Sequence, residues 1–145
     1  MKAKNIEQLK KNLEKRLVAN PNKNSLNLID RATRIVQNTA IKSLMAGGTG
    51  ETVTKYNPNR THTQSKPLDA PASDTGFLVS QITMNVKSNP DGSVVGSIIS
   101  AAPYSKALEF GTTNMTERPF MQPALEKNKR KIQGMFKKQG LIKWA

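Results

Sequence analysis

The sequence contains no cysteine. That absence excludes disulfides and thiolate metal sites, and it fits a chain made in a reducing cytoplasm. There is no run of about 18 apolar residues, so no transmembrane helix is expected. The opening stretch MKAKNIEQLKKNLEKRL has no apolar core of the kind a secretory signal needs, and a soluble, cytoplasmic product is expected. Aromatic residues are scarce, at 5% of 145 residues, and hydrophobic residues reach only 36%. One modest core can be built from these, which suits a single domain over 1–145. Acidic residues are also few: 10 stand against 23 basic ones, a formal charge of +13. Such an imbalance calls for an acidic partner, whether nucleic acid, an anionic membrane surface or an acidic protein face.

Residues 1–22 begin with a basic helix in which Ile6, Leu9, Leu13 and Leu17 recur at helical spacing. Asn20-Pro21-Asn22 is expected to end it. Ser25 then caps a second helix whose apolar face is Leu28, Ile29, Ala32, Ile35, Val36, Ala40 and Leu44. Gly47-Gly48 stops this helix. Residues 46–72 are poor in apolar side chains and read as an extended loop, a length usually functional or ordered by a partner. Asp74-Thr75-Gly76 opens a short turn or helix through Phe77 and Leu78. Ile82, Met84 and Val86 alternate with Gln81, Thr83, Asn85 and Lys87 in the period-two pattern of a half-buried strand. Asn89-Pro90-Asp91-Gly92 is a turn signal. Val94, Val95, Ile98 and Ile99 make a second strand with apolar residues on both faces, one for the helices and one for a neighbouring subunit. Pro103 opens a short helix, Tyr104 to Phe110, closed by Gly111. After the polar turn Thr112–Arg118, Pro119 starts a last helix, with Met121, Leu125, Ile132 and Met135 on one face. Gly134 weakens this helix and Gly140 ends it, leaving residues 140–145 as a tail. The predicted architecture is α+β: N-terminal helices and a C-terminal helix packed on a small antiparallel sheet, with a long loop.

Groups able to carry chemistry are sparse. His62 is the only histidine, and no carboxylate lies within six residues of it, so it reads as a surface residue. Gly47-Gly48-Thr49-Gly50 follows a helix, and the lysine and hydroxyl of a phosphate loop do not come after it. No carboxylate pair has metal-ligand spacing. The reading is of a protein that is not an enzyme, with no cofactor and no metal. Glu109, between apolar Leu108 and Phe110, reads either as an exposed helix residue or as one half of a salt bridge across a subunit contact. Basic residues gather near both ends. Lys10, Lys11 and Lys15, with Lys127, Lys129, Arg130, Lys131, Lys137 and Lys138, are the candidate contacts to DNA or to an acidic protein partner. Trp144, the only tryptophan, could anchor in a partner's pocket or fold back on its own subunit.

Three short motifs occur in order. They are Thr75-Gly76-Phe77-Leu78; Tyr104-Ser105-Lys106-Ala107-Leu108-Glu109-Phe110-Gly111-Thr112; and Pro119-Phe120-Met121-Gln122-Pro123-Ala124-Leu125. In order and spacing the stretch from Asp74 to Ile132 resembles the neck or tail-completion family of tailed bacteriophages, the minor head–tail joining proteins. The resemblance implies a structural virion protein at the head–tail junction. It would be made in the host cytoplasm and form a homo-oligomeric ring, hexameric or dodecameric, around the DNA channel. Its partners would be the connector or adaptor and the tail terminator or tail-tube proteins, with genomic DNA in the channel and no membrane. On this reading Leu108, Phe120 and Leu125 pack the core, while Tyr104, Glu109, Phe110, Gly111, Thr112, Arg118 and Trp144 touch subunits or partners. The 46–72 loop is longer than the family's usual link, and the tail falls outside its pattern. Two rival readings are a tail-terminator ring and a basic DNA-binding accessory protein.

Overall fold

A computed structural model describes residues 21–56 and 58–138. The elements in chain order are α1 (Pro21–Met45), β1 (Thr52–Tyr56), β2 (Asn59–Thr63), α2 (Phe77–Ser80), β3 (Ile82–Ser88), β4 (Val94–Ser100), α3 (Ser105–Phe110) and α4 (Met121–Lys138). The expected α+β class holds, with two two-stranded antiparallel sheets, β1–β2 and β3–β4, in place of one. The basic helix expected before residue 21 and the tail from 140 lie outside the described residues.

The long helix α1 is the axis of the fold. Leu28, Ala32, Val36, Ala40 and Leu44 are buried along one stripe at four-residue steps, on one face of an amphipathic helix. Against this stripe lie the β3–β4 hairpin on one side and α4 on the other. The core gathers Val36, Ala40 and Leu44 with Leu78, Ile82, Ala102, Phe120 and Ala124. Polar bonds tie the layers. Gln37 Nε2 donates to the Ile82 carbonyl at 3.1 Å, and buried Asn128 donates from Nδ2 to Thr39 Oγ1 at 2.9 Å. Ser25 does not open α1, because the helix already includes Pro21. The helix that Asn20-Pro21-Asn22 is expected to end lies outside the described residues, while Pro21 and Asn22 themselves belong to α1. The far end is as expected: Gly47, at φ +89°, follows the last turn.

The β3–β4 hairpin follows the alternation in the sequence. Met84 pairs with Ile98 and Val86 with Gly96 on the face toward α1, while Thr83–Ile99 and Lys87–Val95 pair on the outer face. Gly92, at φ +83°, makes the turn. Gly96 is where β4 comes closest to α1: a Cβ there would lie 2.1 Å from Thr33 Oγ1 and 2.8 Å from Ile29 Cγ2. Strand propensity alone would favour valine over glycine at this position. The contact decides otherwise, and Gly96→Val is expected to destabilise the fold by about 1–3 kcal/mol, the usual cost of overpacking. Urea unfolding would read this as a lower midpoint.

The segment 46–72 is not the extended loop the sequence suggests. It holds the β1–β2 hairpin, with Thr52 opposite Thr63 and Tyr56 opposite Asn59. Gly50 N–H donates to the Gln64 carbonyl and Gln64 N–H to that of Glu51, at 2.7 and 2.9 Å, so pairing runs past the strand ends. A Cβ on Gly48 would come within 1.9 Å of the Thr63 carbonyl oxygen, which leaves room only for glycine. The remainder is tied down by Leu68 N–H to the Glu117 carbonyl and Ser73 N–H to that of Leu44, both 3.0 Å. Thr, Val and Tyr give these strands their propensity. The pattern is hidden because so few of their residues are apolar.

Candidate interaction surface

The three motifs meet around α3. Gly76, at φ +77°, lets the chain enter α2, which buries Leu78 and leaves Phe77 half exposed. Phe77 packs obliquely on Tyr104, their rings 6.2 Å apart and tilted by 39°. Six residues further on, α3 ends at Phe110 and is capped by Gly111, whose φ of +72° favours glycine. A Cβ there would also press on the Met115 carbonyl oxygen at 2.9 Å and the Glu117 nitrogen at 3.0 Å. Thr112 and Met115 exchange two backbone hydrogen bonds, 2.9 and 3.2 Å, closing a tight turn, and Arg118 N–H donates to the Leu108 carbonyl at 2.7 Å. The chain from Tyr104 to Arg118 is thereby held as one rigid piece.

Glu109 faces inward from this piece, against its reading as an exposed helix residue. It is neither an exposed helix residue nor, within the described chain, half of a salt bridge. Its Oε2 accepts from the backbone N–H of Phe120 at 2.9 Å and of Met121 at 3.1 Å, and its Oε1 accepts from Gln122 at 2.9 Å. A helix begins with four N–H groups that lack an intrahelical partner. In α4 these belong to Phe120, Met121, Gln122 and residue 123. Glu109 satisfies three, and Pro123 has no N–H to satisfy. The account of donors closes, and a carboxylate at a helix N-terminus is favourable electrostatically as well. The Glu-Phe-Gly motif and the Pro-Phe-x-x-Pro motif are therefore two halves of one cap. Pro119 lies just before the helix, not in its first turn, since α4 starts at Met121. Glu109→Ala is expected to lower stability by about 2 kcal/mol, the upper range for loss of a helix cap. Glu109→Gln should recover part of this, as measured by thermal unfolding of the two variants.

With Glu109 turned inward, its neighbour Phe110 is left 69% exposed. It stands at the lip of an apolar groove of about 660 Å³, bounded by Ile29 and Val36 of α1, Ile98 of β4, and Leu125, Ile132 and Phe136 of α4. Leu125 is not in the core, as helical spacing had suggested. It is 51% exposed, and Ala124 and Asn128 take the buried positions. Phe120, by contrast, is buried as expected, and Leu108 packs at the core's edge. Val95 and Ile99, on the other face of β4 and outside the groove, are each about half exposed. A chain with so few large apolar residues leaves several of them in water.

The opposite side of α4 is cationic. Lys127, Arg130, Lys131, Lys137 and Lys138 are all exposed and fall within about 120° of one another at 100° per residue. Lys129 lies off this stripe, 3.7 Å from Glu126. Lys10, Lys11, Lys15 and Trp144 lie outside the described residues.

An ionic cluster, not legible in the sequence, joins the β1–β2 hairpin to the turn that leads into α2. Lys55 and Arg60 are cross-strand partners, a like-charge pairing that destabilises a hairpin on its own. Asp74 sits between them. It accepts a hydrogen bond from Lys55 Nζ, takes Arg60 at 3.0 Å, and has His62 Nδ1 at 3.7 Å. His62 is thus no free surface histidine: its side chain is 15% exposed, and its carboxylate neighbour comes from twelve residues away in sequence. The Lys55 hydrogen bond, followed by the charges of Arg60, Lys55 and His62, outweighs partial desolvation and holds the Asp74 carboxyl below its ordinary range. A carboxyl lowered in the fold stabilises it fully above its unfolded value, and that support fades as pH falls through the lowered value. The β1–β2 amides should therefore keep constant hydrogen-exchange protection down to about pH 4 and lose it below. Asp74→Asn should be less protected at neutral pH and should lose this pH dependence.

Among the described residues no group of three or more His, Asp or Glu could hold a metal ion, and no helix is long and apolar enough to cross a membrane. Comparison with protein-family models, with curated proteins and with solved structures finds no match for this chain.

Proposed function

We propose that this chain is a structural virion protein of a tailed bacteriophage. It works at the head–tail junction as a neck or tail-completion subunit, in a ring around the DNA channel. The observation that carries the reading is the Glu109 cap. It links two of the three motifs into one rigid unit and presents Phe110 to solvent beside an apolar groove. Exposed aromatic residues on a rigid support are suited to anchoring in a neighbour, and an exposed apolar patch of this kind marks an interaction site more often than not. The role needs no reactive centre: the chain offers shaped surfaces, apolar on one side of α4 and cationic on the other. Gold-labelled antibody against the chain, applied to virions of the phage that encodes it, should mark the junction. Label on the capsid shell or tail tip would oppose the proposal.

The cationic stripe of α4 favours a second reading, a basic accessory protein that binds duplex DNA through its phosphates. Steeply salt-dependent binding to DNA of any sequence, with no ring formed alongside phage proteins, would select it. A tail-terminator ring uses the same surfaces and differs by its place at the end of the tail tube.

A further inference from the structure

A second depression, of about 290 Å³, lies on the other side of α3 from the apolar groove. His62, Ser65 and Asp74 form one wall, Phe77 and Tyr104 another, and Arg118 reaches it from the turn before α4. Arg118 is the unusual member. Its Nε is buried and has no hydrogen-bond partner among the described residues. Its guanidinium has no carboxylate within ion-pair distance among them either. Buried donors are rarely left this way, and one on a charged group costs more than a neutral one. The local charge is also unbalanced. Asp74 is the only carboxylate lining the pocket, and it is already engaged by Lys55 and Arg60. Arg118 is thus the one permanent cation lining the pocket, and the only anion there is already paired from outside it.

We propose that this depression is a carboxylate-binding site, in which Arg118 receives an Asp or Glu side chain from an acidic segment of a protein partner. The guanidinium fork matches a carboxylate or a phosphate equally well, so the surroundings decide. Duplex phosphates lie on a convex cylinder and are met by protruding cations. Arg118 Nε is buried, and the half-exposed aromatic pair Phe77–Tyr104 lines the same depression. Such a site fits a carboxylate flanked by an apolar residue on a peptide. The inference rests on the reading that this chain docks on proteins, and it names the chemistry of one contact.

The test is made on the full chain labelled with ¹⁵N, following the Arg118 Nε–H resonance, which is assigned by its disappearance in Arg118→Lys. A blocked Leu-Glu-Leu peptide should move this resonance saturably in the millimolar range, and the Leu-Gln-Leu counterpart should leave it in place. Arg118→Lys, which keeps the charge and loses the fork, should weaken binding of the Glu peptide about tenfold, read from backbone amides of Phe77 and Tyr104. No movement with the Glu peptide, equal movement with the Gln peptide, or movement with duplex DNA alone would overturn the proposal. Because the titration uses the isolated chain, its failure leaves the position in the virion untouched. Antibody label away from the junction would, in turn, leave a positive titration standing.

Discussion

Phe120→Ala is expected to lower stability by about 3–5 kcal/mol, the range for emptying a large aromatic site in a core. Phe120 is 1% exposed and is one of the two largest fully buried side chains of the described residues, with Leu44. It occupies the point where α4 begins, packed in the same cluster as Leu44 of α1, Leu78 of α2 and Ile82 of β3. Its backbone N–H is also one of the three donors that Glu109 receives. Removing the ring should therefore loosen the cap as well as the core, and Phe120→Ala with Glu109→Ala should lose less than the sum of the two single effects. For a domain of this size the single change should lower the melting temperature by roughly 10–20 °C, readable by calorimetry. A change of only a degree or two would mean that Phe120 is not the keystone of this junction.

Phe110→Glu is expected to do the reverse, leaving the subunit intact and abolishing its assembly. An exposed substitution outside the core usually changes stability by about 0.5 kcal/mol or less. At an interface, loss of an aromatic anchor costs about 2 kcal/mol or more, roughly thirtyfold in affinity for each contact. In a closed ring every subunit loses that contact, so the effect is compounded around the circle. Free subunits of such assemblies can stay apart until a partner surface is offered. The measurement is therefore complementation: a phage lacking the chain, supplied with Phe110→Glu, should accumulate heads and tails that do not join. Thermal unfolding of the purified variant should be that of the parent. Normal particle yield would remove Phe110 from the interface.

These two residues are neighbours of Glu109 in space and show how far the sequence could be read. The α1 stripe, the period-two strand Ile82–Ser88, the Asn89–Gly92 turn and the glycine stops at Gly47 and Gly111 all follow from local patterns, and all are found. The β1–β2 hairpin is not legible in the sequence because the sparse apolar residues of 46–72 leave little alternation. What ties it to the rest of the fold is the pair of bonds from Lys55 and Arg60 to Asp74, while Leu68 and Ser73 after it are held by the Glu117 and Leu44 carbonyls. Leu125 shares a helical face with Met121 and Ile132 in the sequence, yet it is half exposed. The buried face is rotated by one position, and polar Asn128 is buried because Thr39 and the Ala124 carbonyl accept from it. Glu109 was visible as an odd charge between apolar residues. Its task was not, since the N–H groups it serves lie 11–13 residues further along the chain. His62 and Asp74 likewise come together only through the fold.

The central claim is that the rigid Tyr104–Arg118 segment, with Phe110 outermost, is a contact between subunits in a ring at the head–tail junction. A cryo-electron microscopy map of the intact junction tests it most directly. The account expects a closed ring of this fold around the DNA channel, with Phe110 inserted against the adjacent subunit. A map in which the junction contains no such ring, or in which Phe110 stands in open solvent within it, would contradict the account.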